Sequence, residues 1–229
     1  MNIMNNLDKL KKNLLHLSEQ KMIPENHIKY LYKLKSEGFE PKIIYDIGSC
    51  VLHWTKIAQD LWPNAKIILF EAQESIEFLY KDYDFFIGVL SNKDFKIVNF
   101  YQNDKHPGGN SYYKEIGHNL SSKLYNENNC YKKITYKLDT IIKKRNLPLP
   151  DLVKIDVQGA EKDIIEGGIN TIQNCKYLIV ECQKMEYNLG APQYKETIPY
   201  IESLNFQYLG EICSNGYADS DFAFINKNI

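Results

Sequence analysis

The stretch KIIYDIGS, Lys42 to Ser49, decides the fold of this chain. Its apolar run ends in an acidic residue, Asp46, and Gly48 follows two places later. A short apolar run bounded by turn residues is typical of a buried strand in a parallel sheet. Glycine lets the backbone come close to another group, because it has no Cβ. The stretch therefore predicts a buried strand that ends at a tight, closely approached turn.

Two further stretches have the same form. KIILFE ends at Glu71, and DLVKIDVQG carries Asp156 near its end. The carboxyl ends of parallel strands lie along one edge of a sheet, and ligands of open α/β sheets bind outside that edge. Three strands that each end near a carboxylate therefore predict a ligand site at this edge.

The rest of the chain alternates between strand and helix patterns. Helical spacing of apolar residues from residue 5 to about 20, and again from Pro24 to Gly38, predicts two helices before the first strand. Alternating elements predict a doubly wound, mostly parallel α/β sheet, and two closely joined strands near the end predict one antiparallel member. We expect residues 1–40 to be a helical segment packed on the core and residues 41–229 to be one globular unit.

The middle of the chain has a weaker pattern. FFIGVL, Phe85 to Leu90, is predicted to be one strand, and the FKIVNFYQ that follows is predicted to be the exposed strand of a hairpin. Residues 102–130 show no period, and a long irregular stretch of this kind is often a functional loop.

Composition bounds the class of protein. The 229 residues carry a formal net charge of -1, and 44% of them are hydrophobic, as in an ordinary globular domain. This near-neutral balance argues against nonspecific nucleic-acid binding, and no apolar run reaches the roughly 18 residues of a membrane-spanning helix. Five cysteines without a C-x-x-C pair predict reduced thiols, a cytoplasmic location and no metal site. Asp156 together with Asp139 or Glu181 is the one metal-binding alternative.

The first two edge carboxylates suit different parts of a ligand. Asp46 can hold a cationic group such as an ammonium, or it is simply solvated beside a glycine turn. Glu71 lies 25 residues later, where a carboxylate can accept hydrogen bonds from ribose hydroxyls. The turn reads GSCVLHW and lacks G-x-G-x-x-G, so a dinucleotide pyrophosphate is not expected.

The third strand carries a pair of charges. Lys154 and Asp156 are two residues apart and therefore face the same side of a strand, where the lysine can fix the carboxylate. Gly159 permits a close approach, and Glu161 opens the next helix, where a negative charge is favoured whether or not it has a further role. Glu181, at the end of YLIVE, either orients a substrate or pairs with Lys154.

Taken together, these motifs make the chain resemble the FkbM-type branch of S-adenosylmethionine-dependent methyltransferases. The resemblance rests on YDIGS, FEAQ, GVLSNKD, LDTI, VKIDVQGAEKDIIEGG and YLIVEC, in that order. KIDVQGAE is the most specific of them. The resemblance implies the seven-stranded sheet of class I methyltransferases and the transfer of a methyl group to oxygen.

The resemblance also implies the residues that bind S-adenosylmethionine. They are Asp46, Gly48, Ser49, Glu71, Ala72, Leu90, Asp156 and Gln158. Asp46 and Gly48 are expected at the methionine end, Glu71 at the ribose, and Ala72 and Leu90 near the adenine.

The chain departs from the usual family pattern in two of its motifs. The turn D-x-G-A-N-x-G reads DIGSCVL here, with Ser49, Cys50 and Leu52 in place of the alanine, the asparagine and the second glycine. Gln158 replaces the usual Glu of the KIDVQGAE block, which removes a charge but keeps hydrogen-bonding reach.

Methyl transfer to a hydroxyl needs in-line alignment and a group that takes the proton. Asp156 is the first candidate for the proton, and Lys154 and His106, from the HPGGN loop, complete the expected catalytic set. His53 and His118 are further candidates.

The predicted function is an S-adenosylmethionine-dependent O-methyltransferase that acts on a hydroxyl of a sugar, a glycan or a glycosylated small molecule. Another small hydroxylated metabolite is the second enzyme hypothesis. A noncatalytic Rossmann-like protein that binds a nucleoside or a partner is the alternative from a different class, and a nicotinamide-dependent enzyme ranks last. No nucleic-acid partner is expected, and the oligomeric state is open.

Overall fold

The computed structural model describes residues 2–116, 123–214, 216 and 218–229. Its strands are β1 (Ile43–Ile47), β2 (Lys66–Glu71), β3 (Asp84–Ile87), β4 (Val89–Leu90), β5 (Ile97–Tyr101), β6 (Cys130–Tyr136), β7 (Leu152–Ile155), β8 (Tyr177–Gln183), β9 (Phe206–Ser214) and β10 (Asp219–Asn226). Seven of them form one sheet in the order β3-β2-β1-β7-β8-β10-β9. β10 is antiparallel to both of its neighbours, and the other neighbours run parallel. The predicted doubly wound, mostly parallel fold is confirmed.

Helices cover both faces of this sheet. They are α1 (Asn2–Ser18), α2 (Glu25–Ser36), α3 (His53–Leu61), α4 (Leu138–Arg145), α5 (Glu161–Gly167), α6 (Ile169–Ile172) and α7 (Tyr194–Ser203). Ile44 packs with α1–α3, and its neighbour Tyr45 packs with α4–α7, because successive side chains of a strand face opposite sides. The division between residues 1–40 and 41–229 stays a prediction. Among the described helices, none is long and apolar enough to cross a membrane.

The predicted single strand over Phe85 to Leu90 is wrong. The last hydrogen bond between β3 and β2 runs from the N–H of Gly88 to the carbonyl of Glu71. The chain then turns into β4. β4 belongs to a second sheet of three strands in the order β4-β6-β5. The predicted hairpin is also wrong, since β5 pairs with β6 and not with the strand before it.

The turn between β7 and α5 is held by a buried carboxyl group. Glu161 is 3% exposed, and its Oε1 accepts the N–H groups of Val157 at 3.1 Å and Gly159 at 3.0 Å. Burial raises the pKa of Glu161 from its ordinary value of 4.5 to about 7, although these N–H groups oppose the shift. Glu161 is therefore more than a first-turn helix charge, because it shapes the turn that follows Asp156.

We expect this carboxyl group to make the stability of the protein depend on pH. Between pH 4.5 and about 7 the folded protein keeps the proton that the unfolded chain releases, so the free energy of unfolding falls as pH rises. The loss is about 3 kcal/mol in total, at about 1.4 kcal/mol for each unit of pKa shift. Urea unfolding should show that, over this pH range, the free energy of unfolding falls by about 3 kcal/mol less in Glu161→Gln than in the wild type, because the amide oxygen still accepts both N–H groups but does not titrate.

Glu196→Gln is a matched control, because Glu196 is an exposed first-turn residue of α7. It should keep the pH dependence of the wild type. An equal pH dependence in Glu161→Gln and the wild type would contradict the role given to Glu161.

Candidate active site

A cleft of about 260 Å³ opens at the carboxyl ends of β1, β2 and β7. Its lining includes polar side chains at the ends of β1, β2 and β7 and apolar side chains from the elements around them. The polar group is Ser49, Glu71, Lys154, Asp156 and Gln158, and the apolar group includes Ala72, Val89, Leu90, Phe100 and Ile164. Every predicted cofactor contact except Asp46 lines this cleft, and their roles in binding stay predictions.

Asp46 lies beneath the cleft and not in its wall. Its side chain is fully buried, and its Oδ2 accepts a hydrogen bond from Thr55 Oγ1 at 2.5 Å. Its Oδ1 lies 3.7 Å from Lys154 Nζ, and within the described part of the chain it has no hydrogen-bond partner. Burial raises the pKa of Asp46, and the charge of Lys154 opposes the shift. This geometry gives Asp46 the task of anchoring Lys154 and α3.

Asp156 is the carboxylate that faces the cleft. A third of its side chain is exposed, and its Oδ2 lies 3.0 Å from Lys154 Nζ. Burial alone would raise its pKa, but the charge of Lys154 and a hydrogen bond from Glu181 outweigh burial and hold the pKa of Asp156 below its ordinary value. The pKa of Lys154 is shifted in the opposite direction. Burial lowers it, but the charges of Asp156 and Asp46 outweigh burial and raise it. Asp156 and Lys154 therefore form a charged pair at the polar end.

Glu181 stands behind Asp156 and is the one of these two carboxyl groups whose pKa is raised. Burial raises the pKa of Glu181 well above its ordinary value, and the negative charge of Asp156 raises it further. Gln158 Nε2 donates to Glu181 Oε2 at 2.7 Å. The pKa values of these two neighbouring carboxyl groups are thus shifted in opposite directions, and the group with the lowered pKa is the one at the cleft.

Glu71 connects the turn after β1 to the end of β2. Its carboxylate accepts the backbone N–H groups of Cys50 at 2.9 Å, Ala72 at 2.7 Å and Gln73 at 2.9 Å. Burial raises the pKa of Glu71, and these hydrogen bonds oppose the shift. A carboxylate has about four acceptor positions, so three N–H groups leave room for a ligand hydroxyl.

The turn after β1 accepts no side chain at Gly48 and tolerates strain at two later residues. A Cβ on Gly48 would lie 1.8 Å from the carbonyl oxygen of Asp156. Cys50 and Leu52 adopt left-handed backbone angles, with φ of 46° and 71°, at a cost of roughly 1–2 kcal/mol each. The side chain of Leu52 packs in the core with α1–α3 and does not line the cleft. The side chain of Leu52, which stands where the family pattern has glycine, therefore points away from the cleft.

Residues 102–116 form a cover loop over the cleft. Asn110 Nδ2 donates to Gln73 Oε1 at 2.5 Å at one side. The hydroxyls of Tyr112 and Tyr113 donate to Asp163 Oδ2 of α5 at 2.6 and 2.8 Å at the other. The loop is therefore tied to both edges of the cleft, and its residues Pro107 to Tyr112 supply part of the lining.

The predicted histidines lie in different places. His106 is exposed on the cover loop and is not among the cleft-lining residues, so the structure does not bring it to Asp156 and Lys154. His53 lines the cleft, and its Nε2 lies 2.7 Å from the carbonyl of Leu17. A carbonyl accepts only, so Nε2 donates, and Nδ1 is the nitrogen left to accept a proton. His118 lies outside the described residues.

Sequence reasoning missed several residues that shape the site. Thr55 fixes Asp46, and Trp54 and Phe100 contribute cleft wall. Trp54 and Phe100 are apolar positions without a motif around them, and Thr55 bonds to a residue nine positions away in sequence. A regular pattern signals none of these contacts.

One buried cluster has the composition of a metal site. His27, Cys213 and Asp221 bring three ligand atoms within 4.8 Å of one another. Trp54 Nε1 donates to His27 Nε2 at 2.8 Å, so the imidazole proton is on Nδ1, which donates to Asp221 Oδ2 at 2.9 Å. Cys213 Sγ lies 2.9 Å from the same oxygen. A metal at Nδ1 would leave the ring without a proton, so hydrogen bonding satisfies this cluster better than a cation does.

The alternative pairing of Asp156 with Asp139 at a metal is wrong. The carboxylate of Asp139 accepts the backbone N–H groups of Asn170 and Thr171 at the start of α6. Asp139 therefore caps the start of α6, and it is not among the cleft-lining residues.

Solved structures of other proteins align with this chain at low sequence identity. A precorrin-6y C5,15-methyltransferase from Geobacter metallireducens aligns with 91% of this chain and 92% of its own, at 11% identity and a TM-score of 0.51. Human N-acetylserotonin methyltransferase, in complex with its cofactor, aligns with 98% of this chain and 57% of its own, at 13% identity and a TM-score of 0.47. A fibrillarin pre-rRNA processing protein from Methanococcus jannaschii covers 81% and 66%, at 11% identity and a TM-score of 0.49. The first of these likenesses shows the class I methyltransferase fold.

The sequence itself matches one protein family. No curated protein matches the chain. The Methyltransferase FkbM domain matches residues 43–208, from the start of β1 into β9, which is well over half of the chain. The matched region contains the turns after β1, β2 and β7 that form the cleft. The chain therefore belongs to the FkbM methyltransferase family and is an S-adenosylmethionine-dependent methyltransferase.

Proposed function

We propose that this methyltransferase transfers the methyl group to a hydroxyl of a sugar, a glycan or a glycosylated small molecule. The observation that carries the proposal is the group of polar side chains that lines the cleft after β7. Asp156 and Gln158 line the cleft there, beside Lys154. A carboxylate, an amide and an ammonium suit an acceptor rich in hydroxyl groups.

The residues that line the cleft match the successive parts of S-adenosylmethionine in polarity. Asp156 supplies an ionised carboxylate for the cationic methionine end, where Gly48 leaves the backbone open. Glu71 has acceptor capacity left for the ribose, and the apolar wall of Ala72 and Leu90 suits the adenine. The bound cofactor supplies an electrophilic methyl group on a sulfonium.

Asp156 is the residue that we place against the acceptor hydroxyl. Its low pKa makes it a weak base, but the oxygen becomes strongly acidic as its new bond to carbon forms, so a weak base suffices. Lys154 is a positioning residue, because its ammonium holds Asp156 in place. His53 Nδ1 is the second group at the cleft that can take the proton.

A cytoplasmic location is part of this proposal. The five cysteines of the chain are free, and three of them are buried. Free thiols are the rule in reducing compartments. The proposal includes no nucleic-acid partner, because the chain is nearly neutral.

Glu71→Gln should weaken the binding of S-adenosylmethionine and S-adenosylhomocysteine about tenfold or more. The amide loses the charge and turns one oxygen into a donor, which opposes the N–H groups around it and the ribose hydroxyls. Isothermal titration measures both dissociation constants. Glu77→Gln, an exposed change on the short helix after β2, should leave them unchanged. Equal affinities in the wild type and Glu71→Gln would refute the ribose role.

Methyl transfer to sugars tests the acceptor class directly. The wild type with S-adenosylmethionine and a panel of sugars and glycosides should give products that gain one methyl group on oxygen, seen by mass spectrometry and NMR. Asp156→Asn should lower kcat by about 100-fold or more, because the amide cannot take the proton. Glu196→Gln should keep full activity. Methylation of nitrogen or carbon, with no O-methylated sugar, would overturn the proposed function.

A further inference from the structure

A surface groove of about 540 Å³ adjoins the cleft at Tyr112. Tyr112 lines both spaces, whereas the next two residues, Tyr113 and Lys114, line the groove and not the cleft. Residues 96–99, around the start of β5, form another part of its wall. The groove is therefore the space next to the cleft that a longer acceptor would reach.

Two tyrosine rings line this groove in fixed positions. The ring centroids of Tyr112 and Tyr113 lie 4.9 Å apart, with 35° between the ring planes. Both hydroxyls donate to Asp163 Oδ2, at 2.6 and 2.8 Å, so neither ring turns freely. The face of an aromatic ring is negative and attracts the C–H groups on the face of a sugar. The wall therefore offers a preformed surface for stacking.

Ammonium groups outnumber carboxylates in the lining of the groove. Lys93, Lys96 and Lys114 line it, against the single carboxylate of Asp163, which already accepts the two tyrosine hydroxyls. Lys114 is paired with Glu127 at 2.8 Å. Lys93 and Lys96 are exposed, and the ion pairs of the described residues include neither of them. The groove therefore presents two unpaired positive charges.

Strand β5 turns open backbone groups towards the groove. Tyr101 and Ser111 exchange two backbone hydrogen bonds, of 2.8 and 3.1 Å, on the edge of β5 that faces away from β6. Alternate residues of a strand turn their N–H and C=O groups to the same edge. Ile97 and Asn99 line the groove and share this edge with Tyr101, and no described backbone group outside β6 bonds to them. Their N–H and C=O groups are therefore open to the hydroxyls of a ligand.

We propose that this groove binds a negatively charged sugar unit of the acceptor, next to the unit whose hydroxyl is methylated in the cleft. This rests on the proposed function, which supplies the sugar. The tyrosine rings contact the C–H face of the unit, and the edge of β5 contacts its hydroxyls. Lys93 and Lys96 bind its charge, which is a carboxylate or a phosphate. A neutral sugar makes only the first two kinds of contact.

Isothermal titration of the S-adenosylhomocysteine-loaded protein with D-glucuronate, D-glucose 1-phosphate and D-glucose tests the preference for charge. The wild type should bind at least one of the two anionic sugars about threefold or more tightly than glucose, which is the gain expected from two exposed ion pairs. The double change Lys93→Gln and Lys96→Gln should remove this preference and keep the affinity for glucose. Comparison of the two anions distinguishes a carboxylate site from a phosphate site.

The double change Lys143→Gln and Lys144→Gln is the matched control, because it removes two exposed lysines of α4 that do not line the groove. It should keep the preference in full. Tyr113→Leu should weaken the binding of all three sugars, and Tyr113→Phe, which keeps the ring, should not. Thermal unfolding at the wild-type temperature shows that the lysine variants are folded.

Equal binding of all three sugars by the wild type, or an unchanged preference in the variant without Lys93 and Lys96, would overturn the groove site. Size-exclusion chromatography tests a different occupant. A dimer that this variant dissociates, with sugar binding unchanged, would assign the groove to a second copy of the chain and overturn the proposal as well. None of these measurements needs methyl transfer, so a failure of the proposed function shows separately, as absence of O-methylated sugars.

Discussion

The ammonium group of Lys154 is the interaction on which the rest of the site depends. It lies 3.7 Å from Asp46 and 3.0 Å from Asp156, and only 7% of the lysine side chain is exposed. Removing one charge from such a buried group would leave the others uncompensated, which is strongly destabilising. The strand register places Asp46 of β1 directly beside Lys154 of β7. The pairing of these two strands and the position of the cleft-facing carboxylate are therefore fixed by the same contact.

The electrostatics of the strand ends follow from that contact. Lys154 holds the pKa of Asp156 below its ordinary value, whereas burial, and then the acidic residues after β7 and on β10, raise the pKa of Glu181. The carboxyl group with the lower pKa of this pair therefore lies at the surface of the cleft. Lys154 already holds it in place, so the approach of a cationic ligand requires no rearrangement of the strands.

Features that depend on short-range pattern could be predicted from the sequence. The carboxylate-tipped strands at Asp46, Glu71 and Asp156 share one edge of the sheet, as their form indicated, and Lys154 faces the same side as Asp156 because a strand has a period of two. The break at Gly88 could not be predicted, because continuous apolar runs look alike on either side of it. Sequence motifs thus located the cleft, and tertiary contacts decided which residues face it.

The hydrogen-bonded series from Trp54 through His27 to Asp221 has a consequence for biosynthesis. Trp54 forms part of the cleft wall, yet its indole is held by a histidine whose own partner lies 194 residues further along the chain. β10, which carries Asp221, also inserts between β8 and β9. During vectorial synthesis the early strands and helices can collapse together, but this wall cannot be locked until β10 has emerged from the ribosome. Binding competence is therefore acquired only after β10 has been synthesised.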